Sequence, residues 1–233
     1  MWILTPEESA ALVLSLKVAF WSVAASLPVA VALAWLLSRK RFPGKSLLDA
    51  IVHLPLVLPP VVVGYFLLLA FGRRGPIGAF LDEFFGISFA FSWTGAALAS
   101  AVMGLPLLVR AVRQSLDAVD RGLESAAATL GASPAWVFAS VTLPLILPGI
   151  VTGMVLSFAR SLGEFGATIT FVSNIPGETQ TLPLAIYAFT QVPGGDAQAL
   201  RLCILAILLS LAALMASEIL VRRATARAAG RDA

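Results

Sequence analysis

Charged side chains are scarce in this 233-residue sequence, since 12% of its residues are Asp, Glu, Lys or Arg and 59% are hydrophobic. A soluble domain carries roughly 25% charged residues. So few charges cannot cover a water-soluble surface, which predicts a protein surrounded by lipid. Cysteine is scarcer still: the one cysteine, Cys203, lies in an apolar run. An internal disulfide and a multi-cysteine zinc site are therefore excluded, and we expect Cys203 to be a small apolar filler.

The sequence also lacks the alternating ten-residue strands typical of a membrane β-barrel. In lipid, every backbone polar group must be paired within a helix or a closed barrel, so a helical bundle remains. Five apolar segments reach the roughly 20 residues needed to span the hydrocarbon core. They are residues 11–37, 47–71, 93–112, 145–172 and 200–221. The sequence predicts an all-α membrane protein, a polytopic bundle of about five transmembrane helices forming one domain over residues 1–233.

The N-terminal flank lacks the positive charge of a secretory signal peptide. It carries Glu7 and Glu8 instead, and no small-residue cleavage site follows the long apolar run 11–37. We therefore expect this run to be a retained first helix.

Lysine and arginine are unevenly distributed among the predicted loops. One set of alternate loops carries Arg39, Lys40, Arg41, Lys45, Arg110, Arg113, Arg121, Arg222, Arg223, Arg227 and Arg231. The opposite set carries Arg73 and Arg74, with Arg201 at a helix edge. Cytoplasmic loops are enriched in these residues, which predicts an outside N-terminus, an inside C-terminus with a basic tail over 222–233, and a cytoplasmic loop over 115–144. The net charge of +3 follows from this topology, and no nucleic-acid partner is expected.

The second segment, 47–71, contains Pro55, Pro59 and Pro60. Proline removes a backbone donor and clashes with the preceding turn, so we expect a kinked helix that is buried in the bundle or lines a pathway. The outside loop 173–199 contains an apolar stretch, 182–189, that is too short to span. A short periplasmic helix or a re-entrant segment is expected there.

Two ionisable residues, Arg160 and Glu164, lie inside the predicted fourth helix. Their spacing of four residues predicts a pair on one helix face. Ionisable residues at membrane depth are rare and mostly functional. Two interpretations stay open: a self-neutralised pair that fixes helix packing, or a pathway or gate for a charged solute formed by Arg160, Ser161 and Glu164.

The loop 115–144 is amphipathic, unlike the rest of the chain. Its apolar residues recur at intervals of three and four, as in a helix: Leu116, Val119, Leu123, Ala126, Ala127 and Leu130. Gly131 is typical of a helix C-terminus, and Ser133 followed by Pro134 is typical of the start of a second helix. We expect two short helices joined at Gly131, with Pro144 at re-entry to the membrane. Few basic residues follow Arg121, which favours a protein groove over lipid headgroups as the binding surface.

This loop resembles the signature of the permease subunits of binding-protein-dependent, ATP-driven importers. The signature is Glu-Ala-Ala, a glycine, nine residues, then Ile-x-Leu-Pro, and here it reads Glu124-Ser-Ala-Ala-Ala-Thr-Leu-Gly131 and then Val141-Thr-Leu-Pro144. Ser125 is an insertion before the alanines and Val141 replaces isoleucine. The segments KSLLDAIVHLPLVLPPVVVGY, RSLGEFGATITFVSNIPGETQTLPLAIY and PGGDAQALRLCI are similar to the molybdate branch of this family. Parts of the first two also resemble sulfate and thiosulfate permeases.

The resemblance implies a non-enzymatic permease of the bacterial inner membrane that imports molybdate by alternating access. It implies four kinds of partner: a second copy of the chain, two cytoplasmic ABC ATPase subunits, a periplasmic or lipid-anchored oxyanion-binding protein, and the bilayer. ATP and Mg²⁺ would be bound by the ATPase, so no cofactor and no catalytic residue is expected in this chain. The residues implied in ATPase coupling are Glu124, Ala126, Ala127, Gly131, Leu143 and Pro144.

Three alternatives remain at this point. The cargo could be sulfate, thiosulfate or tungstate, which are oxyanions like molybdate. An ion-coupled secondary transporter would need titratable groups at mid-membrane, and only Arg160 and Glu164 qualify. An intramembrane enzyme is disfavoured because the predicted helices carry no His/Glu zinc pattern and no paired aspartates.

Overall fold

The computed structural model describes residues 4–229, and within this range the secondary structure is helical. The helices are α1 (Pro6–Arg39), α2 (Lys45–Val57), α3 (Pro60–Phe71), α4 (Pro76–Phe85), α5 (Trp93–Ala118), α6 (Arg121–Thr129), α7 (Pro134–Val137), α8 (Leu143–Leu162), α9 (Gly166–Val172), α10 (Leu182–Thr190) and α11 (Asp196–Ala229). A π-helical turn, Phe138–Thr142, joins α7 to α8.

Four helical runs of the described chain are long and apolar enough to cross a membrane. They are Pro6–Arg39, Trp93–Ala118, Pro134–Leu162 and Asp196–Ala216, and the bent pair α2 and α3 makes a fifth if counted as one span. The predicted all-helical bundle of about five spans is confirmed in this form.

Helix α5 forms the centre of the bundle and is packed between α1 and α8. The core at one end consists of small and branched apolar side chains, among them Ala30, Ala34, Leu37, Leu108, Val109, Val112, Ile146 and Ile150. Small residues allow close helix approach in a membrane, and a Cβ added to Gly153 of α8 would press against Leu108 of α5. Helix α11 is peripheral, because only 11% of its apolar window is buried.

The second span is broken rather than merely kinked. Helix α2 ends at Val57, α3 begins at Pro60, and the two axes differ by 115°. Pro59 and Pro60 supply no backbone N–H, so the hydrogen-bond ladder cannot continue through them. The predicted proline distortion is confirmed, and Pro55 lies inside α2 without ending it.

The fourth span is also broken, and the prediction of one helix over 145–172 is wrong. Helix α8 ends at Leu162 and α9 begins at Gly166. The Glu164 carboxylate accepts a hydrogen bond from the Ala167 N–H at 2.8 Å, so a side chain takes the place of a helical carbonyl there. The two glycines that flank the break, Gly163 and Gly166, lower the preference for a continuous helix.

The two breaks lie against each other, and glycine makes the contact possible. A Cβ on Gly166 would meet Pro60 Cβ at 2.8 Å, and a Cβ on Gly64 would meet Ala167 Cα and Thr170 Cβ, both at 2.9 Å. Helices α3 and α9 therefore pack backbone to backbone.

We expect Gly64→Ala to separate α3 from α9 and to destabilise the bundle by about 1–3 kcal/mol, the usual range for overpacking. Thermal unfolding of the detergent-solubilised protein measures this loss. Gly163→Ala is the matched control, because its nearest neighbours would lie 4.0 Å from the new Cβ. Equal melting temperatures for the two variants would contradict the close packing of the breaks.

The two loops predicted on the same side of the bundle as the N-terminus, residues 72–92 and 173–199, both contain helices. Residues 72–92 include α4, which sequence reasoning missed, with Phe80, Phe84 and Phe85 exposed on it. Residues 173–199 include α10, which confirms a short helix at the stretch 182–189. The N–H of Leu182 donates to Ser15 Oγ at 2.6 Å, so α10 is held against α1.

Helices α1 and α11 are joined by an ion pair that the sequence did not indicate. Arg201 Nη2 lies 2.8 Å from Glu8 Oε1, and the Glu8 side chain is fully buried. Cys203, in the same helix as Arg201, is a half-buried free thiol. The expected basic tail 222–233 has a helical backbone as far as Ala229, and residues 230–233 lie outside the described residues.

Candidate functional site

The first short helix of the loop begins later than the sequence predicted. Helix α5 continues through Ala118, so Leu116 belongs to it and is buried in the bundle core, where the prediction had assigned it to a loop helix. The loop helix is α6, which starts at Arg121 after the Asp120 carboxylate caps the Gly122 N–H at 2.8 Å. The chain turns between the two helices at Val119, whose backbone is extended.

The turn at Gly131 is confirmed and has the geometry of a Schellman motif. The Ala132 N–H donates to the Ala127 carbonyl at 3.3 Å, and the Gly131 N–H donates to the Ala128 carbonyl at 3.0 Å. Gly131 has φ of +87°. That left-handed conformation strains residues with a Cβ, which explains glycine here.

The second loop helix starts where predicted but is continuous with the membrane span. Ser133 Oγ accepts from the Trp136 N–H at 3.3 Å, as expected of an N-cap. From Pro134 the chain stays helical to Leu162. Pro144 does not start a separate helix, because it lies within this continuous run, directly after the π-helical turn Phe138–Thr142.

Glu124 is turned toward the bundle. Its Oε1 lies 2.9 Å from Arg39 Nη2 and accepts a hydrogen bond from Thr142 Oγ1 at 2.7 Å. The Arg39 side chain is 11% exposed and that of Glu124 is 23% exposed. One carboxylate thus ties α6 to the last turn of α1 and to the π-helical turn before α8. We call this end of the molecule the loop end.

The outer side of the loop carries large apolar side chains. Leu123 is 50% exposed, Leu130 88% and Trp136 59%. Ala126 and Gly131 are exposed beside them, and Ala127 is half-buried. We call these three large exposed residues of the loop, Leu123, Leu130 and Trp136, the docking surface.

Leu143 and Pro144, the other two residues implied in coupling, do not lie on the docking surface. Both are half-buried in the first turn of α8, and Leu143 packs against the core at the loop end. They support the loop from within the bundle.

Arg160 and Glu164 form an ion pair, but not on one helix face. Arg160 Nη1 lies 2.6 Å from Glu164 Oε2, while Glu164 follows the end of α8. The predicted pairing is confirmed and its helical geometry is wrong. The Glu164 side chain is 1% exposed and that of Arg160 is 27% exposed. Ser161 faces α1, where its hydroxyl lies 2.7 Å from the Ser22 hydroxyl.

Sequence reasoning missed the cation Lys17, although it is visible in the apolar run 11–37. Its Nζ lies 3.6 Å from the centroid of the Trp93 ring, a cation–π contact. It also missed the polar network at the loop end, where Arg113 contacts Asp49 and Ser38 donates to Asp117. Such contacts between distant residues leave no local pattern in the sequence.

Comparison with known families shows the family to which the chain belongs. The family model of the binding-protein-dependent transport system inner membrane component matches residues 26–226. The chain belongs to this family. It is therefore a membrane component of a transport system, located in the inner membrane, and its role is transport and not catalysis. The resemblance found in the loop signature is confirmed.

Curated relatives of this permease are similar over most of their length. The molybdenum transport system permease protein ModB of Escherichia coli (strain K12) is 61% identical over 97% of this chain and 99% of its own length. ModB of Haemophilus influenzae is 61% identical over 93% and 94% of the two chains. The sulfate transport system permease protein CysT of Salmonella typhimurium is 39% identical over 80% of this chain and 67% of its own.

Solved transporter structures share the permease fold. A chain of the inward-facing MetNI methionine ABC transporter matches with a TM-score of 0.69 at 20% identity, covering 96% of this chain and 97% of the other. A chain of a bacterial ABC transporter that imports alginate matches with a TM-score of 0.73 at 17% identity, covering 94% and 80%. At these identities the likeness concerns the fold alone.

Proposed function

We propose that this chain is the permease subunit of an ATP-driven molybdate importer. The observation that supports molybdate as the cargo is the 61% identity to ModB over 97% of the chain. The sulfate relative CysT is more distant, at 39% identity over 80% of the chain. The cargo passes from a binding protein on the outside to the cytoplasm, while a separate ATPase binds ATP and Mg²⁺.

The loop end faces the cytoplasm in this proposal, and the N-terminus faces outside. The support is electrostatic. Arg39, Arg113 and Arg121 belong to the loop end, Lys40 and Arg41 lie in the connection from α1 to α2 there, and Lys45 is the first residue of α2. Basic residues next to membrane spans are retained on the cytoplasmic side.

The docking surface binds the ATPase. Exposed Trp136 is an aromatic anchor of the kind that dominates protein interfaces, and exposed Leu123 and Leu130 add apolar area that binding would bury. The Schellman turn at Gly131 holds α6 and α7 at a fixed angle. The contacts of Glu124 with Arg39 and Thr142 connect that surface to two membrane spans. A displacement of α6 by the ATPase therefore moves the ends of α1 and α8.

Two copies of the chain form the importer, with the pathway between them. The described core of one copy is filled by apolar side chains from α1, α5 and α8. A polar route therefore fits the surface of a copy better than its centre. Arg160, 27% exposed beside the break in the fourth span, is the candidate pathway or gate residue on that surface, with Glu164 neutralised by it.

Reconstitution tests this function. The permease, its ATPase and its molybdate-loaded binding protein are placed in vesicles, and uptake of labelled molybdate is followed with and without ATP. We expect ATP-dependent uptake that excess sulfate does not suppress. Suppression of uptake by sulfate would indicate another oxyanion as the cargo. Uptake that does not require ATP but is abolished by an uncoupler would indicate an ion-coupled transporter.

A glycine substitution tests the loop geometry. We expect Gly131→Ala to weaken binding of the ATPase several-fold, because a Cβ at this left-handed position costs about 1–2 kcal/mol and tilts α6. The melting temperature of the isolated bundle should change little. Gly177→Ala is the control, since Gly177 has a similar φ of +80° and equally open surroundings, but lies in the loop before α10. If both variants bind the ATPase as the wild type does, the turn has no role in docking.

A further inference from the structure

A polar cavity of about 440 Å³ lies between α2 and α5 near the loop end. Its lining consists of Asp49, His53, Arg110, Arg113, Gln114 and Asp117. Each of these residues has a polar side chain, in a sequence that is 59% hydrophobic. Convergent polar groups in a concave site indicate a polar ligand.

The two carboxylates of the lining already have partners. Asp49 Oδ1 lies 2.9 Å from Arg113 Nη1, and His53 Nδ1 lies 2.8 Å from the Asp49 backbone carbonyl and 3.3 Å from Oδ1. Asp117 Oδ1 accepts from Ser38 Oγ at 2.5 Å, and its Oδ2 lies 3.8 Å from Arg113 Nε. Arg113 is thus shared by both carboxylates and is neutralised within the lining.

The side-chain N–H groups of Arg110 and Gln114 are available to a ligand. Among the described residues, no carboxylate lies within ion-pair distance of Arg110, and no side chain accepts a hydrogen bond from Gln114. Both are exposed, and their spacing of four residues puts them on one face of α5. The Arg110 guanidinium offers a planar fork of N–H groups that matches the oxygens of an oxyanion.

We propose that this cavity binds a tetrahedral oxyanion, with Arg110 as the principal cation and with the Gln114 amide as a further donor. The proposal rests on the proposed function, in which the cargo leaves the importer at this end. The charges of Arg110 and Arg113 balance those of Asp49 and Asp117, so directed hydrogen bonds hold the anion without a strong net field. A weak site suits transport, because cargo must leave as readily as it enters.

Equilibrium binding of labelled molybdate to the permease–ATPase complex, in nanodiscs of zwitterionic lipid, tests this site. We expect Arg110→Gln to weaken binding on the order of tenfold, as loss of a charged hydrogen bond does. Arg41→Gln is the matched control, since Arg41 is exposed between α1 and α2 but does not line the cavity. Because Arg110 is exposed, both variants should assemble normally. Equal binding by the two variants overturns the proposal.

A lipid phosphate has the same chemistry as the proposed ligand, so the binding is repeated in nanodiscs containing anionic phospholipid. Molybdate binding that stays dependent on Arg110 supports a cargo site. Loss of molybdate binding in anionic lipid would show that the cavity binds lipid headgroups and would overturn the proposal. Vesicle uptake by the wild type, measured in parallel, separates the two ideas. Absent uptake contradicts the proposed function, whereas normal uptake with binding independent of Arg110 contradicts only the cavity site.

Discussion

Glu124→Ala should reduce ATP-driven uptake by at least about tenfold while the ATPase remains bound, because the docking surface stays intact when its link to the membrane spans is cut. The variant loses the Arg39 contact at 2.9 Å and the Thr142 hydrogen bond at 2.7 Å. A side chain in direct contact with its partner has a coupling energy of about 0.5–3 kcal/mol. ATP hydrolysis that continues without uptake is the expected signature.

Four further variants separate this linkage from a general defect. Arg39→Ala should have the same phenotype, and the double variant should be little worse than either single one, as expected when both changes break one interaction. The exchange Arg39→Glu with Glu124→Arg should restore part of the uptake. Ser125→Ala, at the exposed neighbouring position, is the control and should transport normally. Additive losses with no rescue by the exchange would contradict a role for the ion pair in transmission.

Arg160→Ala should strongly destabilise the protein. It leaves Glu164, 1% exposed, without its counter-ion, and breaking a buried pair in this way typically costs about 3–5 kcal/mol. Since the Arg160 side chain is 27% exposed, water screens part of the charge and the loss should fall toward the lower end of that range. Yield and melting temperature of the purified protein measure it.

A neutral pair distinguishes the two interpretations of Arg160 and Glu164. Arg160→Gln combined with Glu164→Gln removes both charges. The glutamine at position 164 keeps a side-chain oxygen that can accept the hydrogen bond from the Ala167 N–H, which is 2.8 Å long to Glu164 in the wild type. We expect this double variant to fold and to lose uptake, as a pathway or gate residue requires. A stable double variant with wild-type uptake would assign the pair to helix packing alone.

The features that could be predicted from the sequence are those with a local physical cause. Twenty-residue apolar runs, prolines in the second span, and the Gly131 and Ser133 signals at the loop helices each act within a few neighbouring residues. The sequence therefore predicts the helical bundle, a proline distortion in the second span and the loop turn, whereas the full break before Pro60 is seen only in the structure. The loop signature, with its fixed spacing from Gly131 to Pro144, identified the family.

The errors arose where tertiary contacts override local pattern. Glu164 replaces a helical carbonyl at the break in the fourth span, and periodicity could not distinguish this from a continuous helix. Leu116 continues the apolar stripe of the loop, yet the bundle core extends α5 through it. Glu124 lies on the polar side of α6, and only the fold brings Arg39 close enough to turn it inward.

Site-directed labelling tests the central claim, that the docking surface faces the cytoplasm and binds the ATPase. Cys203, the one native cysteine, is replaced by alanine, and Leu130, 88% exposed, is replaced by cysteine. A membrane-impermeant maleimide should label this variant in inside-out vesicles only, and bound ATPase should protect it. Glu178→Cys, in the exposed loop before α10, should be labelled from the opposite side. Labelling of the Leu130→Cys variant from the outside, or labelling that the ATPase leaves unchanged, would contradict the account.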